Sequence, residues 1–159
     1  VIGTVGSDEK IQIAKKNGCD EVINYSKEDF AKKVMELTDG KGVPVVYDGV
    51  GKSTLEKSLK CLKTRGMMIS FGNASGALSP IDVPKMLQPK GLFFVRPAMG
   101  QYLHSAEELS EASKMLFEKI SSGKVKIEIF KKYKLNDVVQ SHEDLESRKI
   151  TGPAIIIPN

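Results

Sequence analysis

The stretch Val43-Pro44-Val45-Val46-Tyr47-Asp48-Gly49-Val50-Gly51, with Ser53 to Leu62 and Met67-Met68-Ile69-Ser70-Phe71-Gly72-Asn73 after it, decides the fold. Val43 to Tyr47 is short, apolar and β-branched, and it stops at an Asp-Gly turn, as a buried strand does. Ser53 and Glu56 then have capping-box spacing, and Leu55, Leu59 and Leu62 recur at helical intervals. Met67 to Ser70 is a second strand that again runs into glycine. A strand, a helix and a strand within thirty-odd residues form a right-handed crossover unit, the building block of parallel sheets covered by helices.

The same alternation extends in both directions. Upstream, Val1 to Val5 reads as a strand leading into Gly6-Ser7, and Ser7 stands where it would cap a helix from about Asp8 to Gly18. Glu21 to Asn24 is a further strand. Ser26 and Asp29 have capping-box spacing ahead of Phe30, Val34 and Leu37 on one helical face. Downstream, Ala74 to Gly91 is rich in Gly, Ser and Pro and predicts a loop with a short helix around Pro84 to Leu87. Leu92 to Val95 predicts a strand, and Ser105 with Glu108 caps a helix ended by Gly123. The tail predicts a strand near Ile127 to Phe130, a helix from about Asn136 to Arg148 and a strand Ala154 to Ile157.

Composition fits one globular domain or slightly more: 159 residues, 40% hydrophobic and 28% charged. No apolar run approaches bilayer length and no leader pattern opens the chain. Two cysteines, Cys19 and Cys61, make no disulfide framework or C-x-x-C pair, which points to a reducing, cytoplasmic setting. The net charge of +4 is spread over lysines interleaved with acids, and aromatics are 6% without tryptophan. Nucleic-acid binding calls for clustered charge beside exposed aromatics, so this balance suits a small anionic ligand better. His104 and His142 stand alone, so no metal site is expected.

Ligands of open parallel sheets lie beyond the carboxyl ends of the strands. Gly6-Ser7, Asp48 to Gly51 and Phe71 to Gly76 occupy such positions. Glycine there either lets a ligand approach the backbone or simply makes the turn. An NAD-preferring fold places Asp or Glu at the end of the strand that Val1 to Val5 forms, to bond the ribose hydroxyls. Val5 and Gly6 stand there instead, followed by the Ser7 hydroxyl, a helix N-terminus and Lys10, with Tyr25 at the end of the next strand. That set suits a 2′-phosphate. Lys10 reads equally as a solvated helix lysine and Tyr25 as a half-buried strand-end residue, and Asp8 and Glu9 oppose an anion unless they turn away.

The stretches V-I-G-T-V-G-S, E-V-I-N-Y, V-V-Y-D-G-V-G, R-G-M-M-I-S-F-G-N-A-S-G, R-P and H-E-D-L-E-S-R recur in order across the chain. In these it resembles the carboxy-terminal half of the zeta-crystallin-like NADPH:quinone oxidoreductases, a zinc-independent branch of the medium-chain dehydrogenase/reductases. The resemblance implies that Gly6, Ser7, Lys10 and Tyr25 surround the coenzyme 2′-phosphate. It implies that Phe71, Gly72 and Asn73 line the nicotinamide half, and that Arg148 reaches toward the adenosine phosphate. Leu92 to Val95 matches an edge strand that pairs across a family homodimer.

The fold class that follows is an α/β, Rossmann-like parallel sheet whose first strand and Gly-rich turn are absent, with a strand–helix–strand tail belonging to a catalytic domain. Residues 1–126 make the partial dinucleotide-binding domain and residues 127–159 the tail. The absent strand would lie between the strands at residues 1–5 and 43–48, leaving open backbone edges unless these re-pair directly or exchange with another copy. The chain therefore reads as the NADPH-binding part of a longer enzyme passing a hydride to a quinone or enone. It is expected to be inactive alone, and no catalytic residue is assigned. The alternative is a non-catalytic nucleotide-binding, RNA-binding or dimerising module.

Overall fold

The computed structural model describes residues 1–147 and 149–158. It divides into two compact units, Val1–Tyr102 and Leu103–Asn159. That contact boundary lies ahead of the 126/127 boundary expected between family domains.

The first unit begins with β1 (Ile2–Val5), α1 (Glu9–Lys16), β2 (Glu21–Asn24) and α2 (Phe30–Leu37). It continues with β3 (Val43–Asp48), α3 (Leu55–Cys61), β4 (Leu62–Ser70), β5 (Phe93–Val95) and α4 (Met99–Tyr102). A π turn at Val83–Leu87 and a 3-10 turn at Gln88–Lys90 stand where the short helix was expected. All pairings are parallel, but they form separate sheets: β1 pairs with β2, while β3, β4 and β5 follow one another. β1 and β3 do not pair, so the expected gap stays open instead of closing by re-pairing.

Two clusters anchor the unit. Ile23, Phe30, Ala31, Val34 and Cys61 bury the α2 face against β2. Leu55, Leu59, Leu62 and Met68 bury the α3 face against β4. Each burial of a Leu- or Phe-sized side chain stabilises by about 1.5–3 kcal/mol. Leu37, expected on the buried α2 face, is exposed at the helix end. Lys90 Nζ donates to the carbonyls of Lys60 (3.0 Å) and Leu62 (2.6 Å), satisfying acceptors that α3 leaves open at its C-terminus.

Three helix starts differ from the expected caps. Asp29, and not Ser26, caps α2, accepting from the Ala31 and Lys32 amides. α3 follows Thr54, whose hydroxyl turns to Asp48 instead of capping, while the Ser53 amide donates to Ser75 Oγ. α1 follows Asp8, and Ser7 contributes a backbone carbonyl rather than its hydroxyl. For Ser26, whose hydroxyl donates to the Gly6 carbonyl, and for Thr54, a tertiary partner takes the hydroxyl.

In the second unit, α5 (Ala106–Ser121) starts with the expected Ser105–Glu108 capping box. β6 (Lys131–Lys134) pairs with β7 (Ala154–Ile157), and α6 (Val138–Glu146) lies between them in sequence. The strand expected near residues 127–130 therefore lies one step later. The Phe130 amide bonds to the Pro153 carbonyl, and Pro153, having no N–H, cannot return a ladder bond. What fixes β6 is buried Tyr133, which donates to Asp144 Oδ2 at 2.7 Å. Asp144 also accepts from Lys131 (2.8 Å) and Gln140 (3.1 Å), and these bonds, Lys131 first, hold its carboxyl down at about 2. The buried position of α6 is thus an ionised Asp144, while Leu145 and His142 on the expected apolar face are exposed.

Candidate functional site

Two groups of predicted site residues form at strand ends of the first unit. At the end of β1, a Cβ built on Gly6 would lie 2.9 Å from the Tyr25 hydroxyl, so only a bare backbone lets these two meet so closely. Ser26 Oγ donates to the Gly6 carbonyl at 2.8 Å, and the Lys10 amide donates to the Ser7 carbonyl at 3.2 Å. Gly6, Ser7, Lys10 and Tyr25 are all half-buried, and they gather at one turn as the sequence suggests.

The neighbouring Asp8 carboxylate is engaged. Asn24 Nδ2 donates to it at 2.6 Å and Lys27 forms an ion pair with it. Those bonds, the Lys27 one first, lower its pKa below the ordinary value. The objection that Asp8 would repel an anion is thus met by a cation and an amide that the sequence reading did not assign. A polar residue at the end of β2, three positions ahead of a lysine, was the available signal.

At the ends of β3 and β4 the two turns are bonded together. Asp48 is buried and accepts from the Val50 amide (2.8 Å), the Gly51 amide (2.9 Å), Thr54 Oγ1 (2.8 Å) and Ser58 Oγ (2.7 Å). Thr54 and Ser58 are four residues apart, so both hydroxyls fall on one α3 face. Across the gap, the Phe71, Ala74 and Ser75 amides donate to the carbonyls of Asp48, Gly49 and Val50. A Cβ on Gly72 would come within 2.3 Å of the Gly49 carbonyl oxygen, so no side chain fits. The Phe71 ring lies over Gly49 and is 58% exposed, leaving an aromatic surface open beside the turn. Asn73 is exposed and Gly72 half-buried.

Arg96 was recognised only as part of the R-P pair. Its Nη1 donates to Ser70 Oγ (3.1 Å), the Ser70 carbonyl (3.3 Å) and the Gly72 carbonyl (3.4 Å), fixing where the loop leaves β4. Arg148, the remaining predicted contact, lies outside the described residues.

Between the two groups runs a cleft of about 620 Å³, lined by β1, by β3 and by Phe30, Val34, Thr54, Ser58 and Cys61. Burial pushes the Cys61 thiol up to about 11, which keeps it protonated and unreactive at neutral pH. Among the described residues no group of three or more His, Cys, Asp or Glu could hold a metal. Among the described residues no helix is long and apolar enough to cross a membrane.

The chain is 46% identical to quinone oxidoreductase 1 of Escherichia coli (strain K12) over 99% of its length and 49% of that protein's. It is 43% identical to a 2-haloacrylate reductase of a Burkholderia species, covering 99% of this chain and 48% of that protein. The crystal structure of E. coli quinone oxidoreductase complexed with NADPH superposes with a TM-score of 0.92 at 46% identity, again over 99% of this chain and 49% of that one. The chain thus spans about half the length of the curated relatives it matches. The family model described as zinc-binding dehydrogenase matches residues 1–118, and the chain belongs to that family.

Proposed function

We propose that this chain is the coenzyme-binding part of an oxidoreductase that passes a hydride from NADPH to a quinone or enone-type acceptor. One observation supports this reading above the others. The turn after β1 offers Ser7, Lys10 and Tyr25 around a bare Gly6, while Asp8, the adjacent carboxylate, is ion-paired with Lys27 and hydrogen-bonded by Asn24. The Lys10 ammonium has no hydrogen-bond or ion-pair partner among the described residues. An ammonium and two hydroxyls suit a phosphate dianion, whereas a ribose diol calls for an acceptor carboxylate.

NADPH, when bound, supplies the hydride; the residues of this chain bind, orient and exclude water. Gly6, Ser7, Lys10 and Tyr25 hold the 2′-phosphate, and Arg148 is proposed to assist. Phe71, Gly72 and Asn73 lie along the nicotinamide, on a loop made rigid by Asp48 and Arg96. The acceptor pocket is proposed to lie between this chain and the part of the relatives that it does not span, so the chain alone is expected to be inactive. β5 is the edge of its sheet and Phe93 on it is 59% exposed, which supports homodimer pairing through residues 92–95. Free Cys19 and Cys61 suit the cytoplasm.

The test uses the longer enzyme that contains this chain. Lys10→Ala should raise the KM for NADPH about 10- to 100-fold, as for loss of a charge-assisted bond, and leave kcat and the KM for NADH unchanged. Equal effects on both coenzymes, or a wild-type preference for NADH, would overturn the assignment.

A further inference from the structure

Whether the turn after β1 attracts an anion or repels it depends on how its charges are turned, not on how many there are. Residues 6–10 and 24–28 carry Lys10 and Lys27 against Asp8, Glu9 and Glu28. Asp8 adjoins Ser7 and stands two positions ahead of Lys10, beside the hydroxyl and ammonium assigned to the phosphate. A free carboxylate there would act twice against an NADPH site. It would repel the phosphate dianion, and it would offer ribose hydroxyls the acceptor that an NAD site provides.

Groups from the end of β2 hold both Asp8 oxygens. Asn24, the last residue of β2, is buried, and the Ser26 amide lies 3.0 Å from its Oδ1. That amide can only donate, so the Asn24 NH2 group must face the other way, where it donates to Asp8 Oδ1 at 2.6 Å. Ser26 Oγ donates to the Gly6 carbonyl at 2.8 Å and the Tyr25 amide to the Val5 carbonyl at 3.0 Å, tying the two turns together. The Lys27 amide donates to the Asn24 carbonyl at 3.0 Å, and the Lys27 ammonium pairs with Asp8 Oδ2. The two donors divide the work. Asn24 is neutral and orients the carboxylate; among the described residues Lys27 alone brings it an opposing charge.

We propose that Lys27 is a coenzyme-selectivity residue that acts through Asp8. By holding that carboxylate in an ion pair, it keeps the turn after β1 receptive to a 2′-phosphate without touching the phosphate itself. Lys27 is thus a positioning residue, and selectivity comes from masking a repulsive group as well as from adding an attractive one. The inference rests on the coenzyme reading above.

The experiment titrates the longer enzyme that contains this chain, by calorimetry, with adenosine 2′,5′-bisphosphate and with AMP. These ligands differ by the phosphate in question and carry no nicotinamide, so hydride transfer plays no part in the readout. Lys27→Met should lower the preference for the bisphosphate about 5- to 10-fold, with AMP binding unchanged or tighter. Lys27→Arg, which keeps the charge, should stay within about 2-fold of wild type. In Asp8→Asn/Lys27→Met no carboxylate is left to mask, so the preference should return to within about 3-fold of wild type. Both side chains are more than half exposed, so these substitutions leave the core intact. A double variant as weak as Lys27→Met would mean that Lys27 binds the phosphate directly, and equal losses for the two ligands would mean a merely structural role. Either result overturns the inference. Lys10→Ala separates it from the reading beneath it. If Lys10→Ala loses the bisphosphate selectively while Lys27→Met does not, the coenzyme reading stands and the role of Lys27 falls. If the wild-type enzyme shows no preference for the bisphosphate, both fall.

Discussion

The turn after β1 and the paired turns after β3 and β4 are both glycine-rich strand ends, yet they are held in opposite ways. Asp48 is sunk among two amides and two hydroxyls, and backbone bonds join its turn to the Phe71–Ser75 loop. Asp8 stands at the surface, where an exposed lysine and one asparagine hold it. The buried end has fixed geometry, which would suit the nicotinamide platform proposed for it. The open end is built for charge, and it leaves Lys10 and Tyr25 available. Rigidity and electrostatics are thus divided between two turns that sequence alone presents as similar.

The sharpest way to break this contrast is Asp48→Ala. It leaves two hydroxyls and two amides without their acceptor and should cost about 3 kcal/mol or more, read from urea unfolding. A loss below about 1 kcal/mol would mean that water replaces the carboxylate, and that this end is no more rigid than the other. Next in size is Gly72→Ala, whose methyl meets the Gly49 carbonyl, a backbone atom that cannot swing aside. About 2 kcal/mol is expected, together with faster exchange at Ala74 and Ser75. By contrast, Gly6→Ala meets only the tip of the Tyr25 side chain. It should change stability by about 0.5 kcal/mol or less, and its effect should appear in coenzyme affinity instead.

Acid gives the smallest effect and separates the ends by charge. Asp8 has its pKa lowered from 3.8, so the stabilisation from its Lys27 and Asn24 bonds is fully present above that value. It is lost as pH falls through the lowered value, and Lys27→Met should flatten this dependence. The check is amide exchange at Tyr25 and Ser26 between about pH 5 and 2, in wild type and variant. An identical pH response in the two would show that the ion pair does not hold this turn.

Much of the architecture was legible because burial leaves periodic marks. β1, β2, β3 and β7 and the capped helix α5 fall where β-branched runs, glycines and the Ser105–Glu108 box place them. That Val5 and Gly6, and no Asp or Glu, stand at the end of β1 was also legible, since it depends on which residues stand at which positions. Signals that compete locally were misread. Ser7, Ser26 and Ser53 each have cap spacing, yet none caps its helix, and the Ser26 hydroxyl donates to the Gly6 carbonyl and the Ser53 amide to Ser75 Oγ. The apolar run 127–130 looked like a strand, but the ladder starts at Lys131, because Pro153 cannot donate and because Tyr133 is drawn inward by Asp144.

By itself, then, the sequence determined the order of strands and helices, the parallel class and the gathering of Gly6, Ser7, Lys10 and Tyr25 near two adjoining strand ends. Propensity, capping and chain continuity act over a few residues and are written in spacing. Only the tertiary structure decided that Asp8 is paired with Lys27, that Asp48 and Arg96 fix the turns after β3 and β4, and that β1 and β3 do not re-pair directly. Each of these depends on groups brought together from distant positions, where hydrogen-bond competition and burial, not local preference, set the outcome.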